Sequence, residues 1–374
     1  MKEISLYIHI PFCKQKCLYC DFPSYAGKED LMDQYIEALN KEILEKGKNY
    51  IINSIFIGGG TPSYLTNNNL KILLNTLNKL NLKDTLEFTV ECNPGTLTEE
   101  SLKIMKNNKV NRLSIGVQSS KNNLLKNIGR IHSYEEFKNN YILARKLGFN
   151  NINVDLMFGL PNQKVEEWRE TLEEISNLNP EHISAYSLII EEGTCFYNLY
   201  KQNKLELPSE ENEREMYLLT KKILSKKGYH QYEISNFSKE GKECLHNKVY
   251  WKCNEYLGLG VSASSFIDEN RIKNIDNIEE YIGKIDKNEN VIDEIHRNTK
   301  KDDYEEFVFM GLRMINGIES SEFKRRFGKD IYDVYKNVIE KNIKKELLIN
   351  DSGRLYLSSK GIEISNYVMS DFIL

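Results

Sequence analysis

The stretch IHIPFCKQKCLYCDF, residues 8–22, sets Cys13, Cys17 and Cys20 within eight positions, directly after a short apolar alternation. The alternation reads as a β-strand that ends in a cysteine-bearing loop. The chain has seven cysteines, and the other four, Cys92, Cys195, Cys244 and Cys253, are scattered. An odd, dispersed set argues against a disulfide framework. Thiolates spaced Cys-x3-Cys-x2-Cys suit a soft, thiophilic ligand. Structural zinc closes with four ligands, but no nearby His or Cys completes this set, and Asp21 fills the corner only with awkward geometry. A cubane iron–sulfur cluster takes a thiolate at each iron, so three cysteines leave one iron open to an exchangeable group.

Outward from that loop, six β-type runs recur, each followed by a helical pattern: SLYIHI, SIFIGGG, LEFTVECNPG, RLSIGVQS, INVDLMFGLP and HISAYSLII. Leu31, Tyr35, Leu39 and Ile43 share one helix face, and Leu70, Leu73, Leu74 and Leu77 another. Ser133 with Glu136 forms a capping box before a helix that stops at Gly148, and Pro180 closes the helix carrying Val165, Trp168 and Leu172. Repeated βα units predict an α/β fold with parallel strands. Periodicity alone fits an open doubly wound sheet or an incomplete barrel. The Cys cluster, Gly58-Gly59-Gly60-Thr61, Glu91, Gln118 and Asp155 all stand at strand C-terminal ends, and that convergence favours a partial (β/α)6 barrel.

After about residue 195 the rhythm changes. Ser209 to Gly228 reads as one long helix, followed by QYEISNF, HNKVYW and GLGVSASSF. The charged stretch Asp286–Lys301 reads as a connector. EEFVFMGLRMI and EFKRRFG predict two helices, and ELLINDSGRLYLSSKG a hairpin turning at Asp351-Ser352-Gly353, together a small winged-helix-like α+β domain. The expected divisions are a barrel over 1–235, a segment packed on it over 236–295 and the C-terminal domain over 296–374. Lys324, Arg325 and Arg326 read as a solvated helix face. A net charge of −4 gives no electrostatic reason to expect nucleic acid. No run approaches the roughly 18 apolar residues of a membrane span. The start MKEISLYIHIPF, with Glu3 and immediate strand alternation, is unlike a secretory signal, so the expected location is cytoplasmic.

Taken in order, HIPFCKQKCLYCDF, FIGGGTPS, ECNPG, GVQS and NVDLMFGLP resemble the radical S-adenosylmethionine superfamily, and within it the oxygen-independent coproporphyrinogen oxidases and their haem-chaperone branch. The resemblance runs from Leu6 to Phe266, with a family-like tail domain after it. It implies a radical-SAM-type barrel in which Cys13, Cys17 and Cys20 ligate a [4Fe–4S] cluster whose open iron takes the amino and carboxylate groups of S-adenosylmethionine. By the same resemblance Gly59, Gly60 and Thr61 contact the cofactor's amino-acid end. Tyr7, Glu91, Gln118, Arg130 and Asp155 are further contacts, and Tyr19 and Ile189 match a second cofactor site of the oxidase. Read from the residues alone, a glycine turn lets backbone approach a ligand closely. Tyr7 shares a strand face with His9, opposite Ile8 and Ile10. The remaining side chains supply the acceptors, amide and cation that a ribose, an amine and a carboxylate need.

Two departures separate the oxidase from the chaperone branch. The oxidase places another cysteine two residues after the third ligand, where this chain has Asp21-Phe22, and it carries a long extension before the cluster strand. The segment ECLHNKVYWKC sets His246 beside Asn247, Tyr250 and Trp251, a polar ligand atom among flat apolar surfaces. The chaperone branch resembles this stretch, which implies His246 as a haem contact; covalent attachment is not indicated, because the spacing is not Cys-x-x-Cys-His. The expected function is therefore a haem-binding protein that delivers haem to apo-haemoproteins, respiratory ones among them. Its rivals are a coproporphyrinogen III dehydrogenase that oxidatively decarboxylates two propionates, and a cluster-bearing binding protein unconnected with porphyrins. The sequence leaves open both a homodimer and whether S-adenosylmethionine is cleaved.

Overall fold

The computed structural model describes residues 1–374. The six runs become parallel strands β1 (Lys2–Ile10), β2 (Tyr50–Gly59), β3 (Asn81–Cys92), β4 (Arg112–Gln118), β5 (Ile152–Phe158) and β6 (His182–Ser187), paired in that order. The order never reverses. A doubly wound sheet changes direction at a switch point and is covered on both faces, whereas a monotonic order with right-handed crossovers puts the connecting helices on one face. The other face is then free to curve around an interior.

The pleat sorts side chains between these two faces. Leu6, Ile8, Ile55, Ile57, Phe88, Val90, Leu113, Ile115, Val154 and Ile183 pack under the helices in one large apolar core. The alternate positions are Ser5, Tyr7, His9, Ser54, Phe56, Glu87, Thr89, Glu91, Arg112, Ser114, Asn153, Asp155, His182 and Ser184. They give the interior an unusually polar lining.

The sheet continues past both ends of the parallel set. Beyond β6 come two short antiparallel strands, β7 (His230–Glu233) at the edge and β8 (Asn236–Ser238) between it and β6. Beyond β1 lies β9 (Tyr256–Leu259), parallel to it, and then β10 (Ser264–Ile267), β11 (Asn270–Asn274) and β12 (Ile292–Arg297), all antiparallel. The ladder is open, with β12 and β7 as its edges. The stretch read as a charged connector thus carries the edge strand β12, whose residues are nearly all exposed. Charges on an unpaired edge discourage pairing with another chain, and a strand so exposed carries no apolar alternation to mark it in the sequence.

Residues from Tyr304 to Phe372 form a second, smaller core. It gathers helices Lys300–Gly311, Ser320–Phe327 and Ile331–Lys344 against a three-stranded sheet of β13 (Ile318–Glu319), β14 (Leu348–Asp351) and β15 (Arg354–Leu357). The hairpin turns at Ser352 and Gly353, both at positive φ (53° and 86°), as a type I′ turn requires. Helix Ile331–Lys344 was not anticipated, because its buried stripe of Ile331, Tyr335, Ile339 and Asn342 includes a polar residue. The basic run also differs from expectation. Arg325 pairs with Glu322, but Arg326 leaves solvent and donates from Nη1 to the Cys253 carbonyl and from Nη2 to Asn254 Oδ1, each at 3.0 Å. No helix is long and apolar enough to cross a membrane.

Candidate functional site

At the C-terminal mouth of the parallel strands, the cysteine loop is fixed by backbone from distant segments. Cys13 N donates to the Tyr25 carbonyl (2.9 Å), Leu18 N to that of Ile128 (3.1 Å) and Phe196 N to that of Leu18 (2.9 Å). The glycine turn after β2 is laced to the same loop through Gly60 N to the Ile10 carbonyl (2.7 Å) and Thr61 N to that of Phe12 (2.8 Å). Glycine is required there. Gly59 has φ +107° and a Cβ on it would strike the His9 ring, while one on Gly60 would meet the Phe12 carbonyl oxygen at 2.8 Å. The turn therefore presses bare backbone against the loop, and the Cys13 thiol lies 3.4 Å from Thr61 Oγ1.

All three clustered cysteines are free thiols. They line one cavity of about 440 Å³ together with Tyr19, Gly59, Gly60, Thr61, Glu91, Gln118, Arg130, Asp155 and Ile189. Of the expected cluster ligands and cofactor contacts, only Tyr7 and His246 lie outside this wall. Arg130 is held by Asn93 Oδ1 and the Tyr19 hydroxyl, each at 2.9 Å. Glu91 accepts from Gly59 N at 3.2 Å, and burial, with Asp155 nearby, pushes its carboxyl up to about 8. Asp155 accepts from Ser114 Oγ (3.0 Å) and Asn153 Nδ2 (2.7 Å). Ile189 is two-thirds exposed at the rim. The donor set fits an iron–sulfur cluster: the thiols share a wall, yet no three His, Cys, Asp or Glu side chains converge closely enough to grip a single ion. A cubane takes one thiolate per iron and needs no such convergence.

A second cavity of about 320 Å³ lies below, sharing Phe22, Gly59, Glu91, Ser114, Asp155 and Tyr186 with the first. Tyr7 and His246 line it, with Phe56, Arg112, Asn247 and Tyr250. Its floor is the short helix Leu245–Trp251, whose first N–H groups are gripped by Glu87: Leu245 N and His246 N each donate to its carboxylate at 3.0 Å. His246 is fully buried and stacks on Phe56 (centroids 5.2 Å apart). The Ser5 hydroxyl donates to Asn53 Oδ1 (2.7 Å) and the Ser54 hydroxyl to Ser5 Oγ (2.8 Å), so Ser54 is left to accept from His246 Nδ1 (2.9 Å). That chain fixes the tautomer. The Nε2 lone pair accepts the Tyr250 hydroxyl proton at 2.9 Å, and burial pulls the imidazole down to about 3, keeping it neutral. Trp251, grouped with His246 in the sequence reading, points elsewhere and lies under the Arg313 guanidinium, 4.5 Å from it, because residues 250 and 251 diverge by about 100° around a helix.

The same architecture recurs in known proteins. The radical SAM superfamily model matches residues 7–175 and the HemN C-terminal domain model residues 298–364. The chain is 39% identical to heme chaperone HemW of Bacillus subtilis (strain 168), over 99% of each chain. It is 38% identical to heme chaperone HemW of Lactococcus lactis subsp. lactis (strain IL1403), covering 100% of this chain and 98% of that one. The chain belongs to the HemW family. Its fold is also that of coproporphyrinogen III oxidase (HemN) from Escherichia coli, with TM-score 0.87 and 23% identity over 100% of this chain and 90% of that one.

For this HemW-family chain, the residues that sequence reading missed lie mostly around the lower cavity: Phe56, Arg112, Asn153 and Tyr186 line it and Glu87 grips its floor helix, while Asn93, which holds Arg130, lies in the upper one. Each but Asn93 lies on one of the six strands at an inward position. The signal was available as period-two alternation, which sets Arg112 opposite Leu113 and Glu87 opposite Phe88.

Proposed function

We propose that the chain binds haem and passes it to apo-haemoproteins, and that it carries a [4Fe–4S] cluster on Cys13, Cys17 and Cys20 with S-adenosylmethionine at the open iron. Kinship over the full length with heme chaperones supports the haem assignment. The observation that carries it is the state of His246. A metal-ligating histidine donates its second ring N–H to a fixed acceptor, and Ser54 provides that acceptor while Nε2 keeps its lone pair. Ligation through Nε2 requires the Tyr250 hydroxyl to move aside, loosening its edge-on contact with Tyr256 (4.7 Å).

In the upper cavity, Gly59, Gly60 and Thr61 offer backbone and a hydroxyl to an amino-acid moiety. Glu91, Gln118, Arg130 and Asp155 offer acceptors, an amide and a cation to the rest of the cofactor, with Tyr7 below and Tyr19 and Ile189 at a second position. The bound pair would supply one-electron reductive cleavage of the sulfonium. The protein's contribution is placement and exclusion of water.

Haem titration of the wild type and His246→Ala tests the reading. The wild type is expected to shift the Soret band away from that of free haem, and the variant to lose the shift. Free-haem spectra for both would overturn the haem assignment. Conversion of coproporphyrinogen III to protoporphyrinogen IX by the reduced, reconstituted protein with S-adenosylmethionine would replace it with the dehydrogenase reading.

A further inference from the structure

The fold buries the charged side chains of Glu42, Glu87, Glu233 and Arg112. Each of the three carboxylates accepts hydrogen bonds or faces a cation, although Glu233 Oε2 meets Arg313 only as an ion pair at 3.5 Å. Glu42 accepts from Gly260 N (2.8 Å), the Tyr281 hydroxyl (2.6 Å) and Lys46 Nζ (2.7 Å); Glu87 caps the floor helix; Glu233 takes Ser235 N (2.8 Å) and faces Arg313. Arg112 is different. It is 1% exposed, its guanidinium forms no ion pair or hydrogen bond with the protein, and its Nε is enclosed without any partner. The carboxylates near enough to influence it are Glu87 and Asp155, and both spend their oxygens on other donors. Those two carboxylates favour its charge from a distance, but a buried guanidinium whose N–H groups meet no acceptor is still costly to the fold. Such an arrangement persists where a ligand supplies the missing acceptors.

The space beside it says what that ligand looks like. Arg112 lines the lower cavity opposite the rings of Tyr7, Phe56, Tyr186 and Tyr250. A guanidinium fork matches a carboxylate through two parallel hydrogen bonds, and the rings suit a flat apolar body. Glu91, on the same wall, is held protonated at neutral pH and does not repel an anion. The amino-acid end of S-adenosylmethionine is expected among the cysteines at the C-terminal ends of the strands, whereas Arg112 is the first residue of β4, at the opposite end. Resting on the haem reading above, we infer that Arg112 is the anchor for a propionate of haem, received acid edge first into the lower cavity. The macrocycle continues toward the upper cavity through the walls the two share.

The test compares haem with haem dimethyl ester, in which both propionates are masked, on the wild type and on Arg112→Gln. The wild type should bind the free acid about ten- to a hundredfold more tightly than the ester, and Arg112→Gln should lose that preference. Arg112→Lys should restore part of it. Metal-free protoporphyrin should show the same dependence on Arg112 and none on His246, because the contact involves no iron. Equal wild-type affinity for acid and ester would overturn the anchor and leave haem binding standing, as would an acid preference that survives Arg112→Gln. Absence of any haem binding by the wild type would overturn both. If Arg112→Gln does not fold, the wild-type comparison of acid with ester decides alone.

Discussion

The two cavities on the inner face of the open, curved sheet share walls but are built by opposite strategies. The upper one is assembled from loops and strand ends, each supplying a residue or two, and its wall is braced by backbone hydrogen bonds that leave side chains free to meet a ligand. The lower one is assembled from mid-strand side chains that are almost all tied to one another, in a lattice running Asn53–Ser5–Ser54–His246–Tyr250 on one side and Asn153–His182–Tyr232 on the other. Backbone bracing tolerates substitution of the functional side chains. A side-chain lattice does not, because each polar group removed strands its neighbour in a buried setting. Loss of function without loss of fold is therefore expected above, and loss of both together below.

The sharpest way to break this contrast begins with Cys17. Cys17→Ala should abolish the broad brown absorbance of the reconstituted cluster while leaving the unfolding midpoint of the cluster-free protein within about 0.5 kcal/mol of wild type, as expected for a partly exposed loop position. Cys92→Ala, at the end of β3 in the wall of the same cavity but outside the cysteine loop, should keep the colour. A Cys17→Ala protein that stays brown would place the cluster elsewhere. Next in size is Glu87→Gln, which leaves one acceptor oxygen where two N–H groups now share a carboxylate. A loss of about 3 kcal/mol in urea unfolding is expected, with the Soret shift weakened in parallel. A variant as stable as wild type would mean that the floor helix does not depend on that carboxylate.

The remaining effect concerns pH and the wall common to both cavities. Glu91 has an ordinary value of 4.5 and is raised to about 8 in the fold. The native state thus holds a proton that the unfolded chain has released. Its contribution to stability is complete below about 4.5 and is lost as the pH climbs through about 8. Relative to wild type, Glu91→Gln should therefore gain about 3 kcal/mol between about pH 6 and pH 9. Parallel stability curves for the two proteins would show Glu91 ionised throughout.

The difference between the cavities also explains what could be read from the sequence. Cys13, Cys17, Cys20, Gly59, Glu91 and Gln118 each sit in a short run where chemistry and position coincide, at or just beyond the end of a strand, whereas Asp155 lies in the middle of β5 and Arg130 follows the helix Asn122–Asn127. The strand order followed from the same runs, because six βα units without an interruption leave few topologies. The lower cavity needed information that no single run contains. Arg112 opens RLSIGVQS, which was read correctly as a strand, but its lack of a partner depends on Glu87 being committed to a helix some 160 residues later. That helix was visible as HNKVYW, yet its direction of approach was not, and Trp251 was grouped with the ligand face for that reason. Strand β12 escaped notice because an exposed edge carries no apolar rhythm.

The contacts of Arg313 and Arg326 give the C-terminal domain a second meaning. Through Trp251, Cys253 and Asn254, these two arginines hang the floor of the ligand chamber from a separate apolar core. The end of the floor helix is therefore moored to the tail, and a chain cut before residue 298 loses that mooring along with the tail.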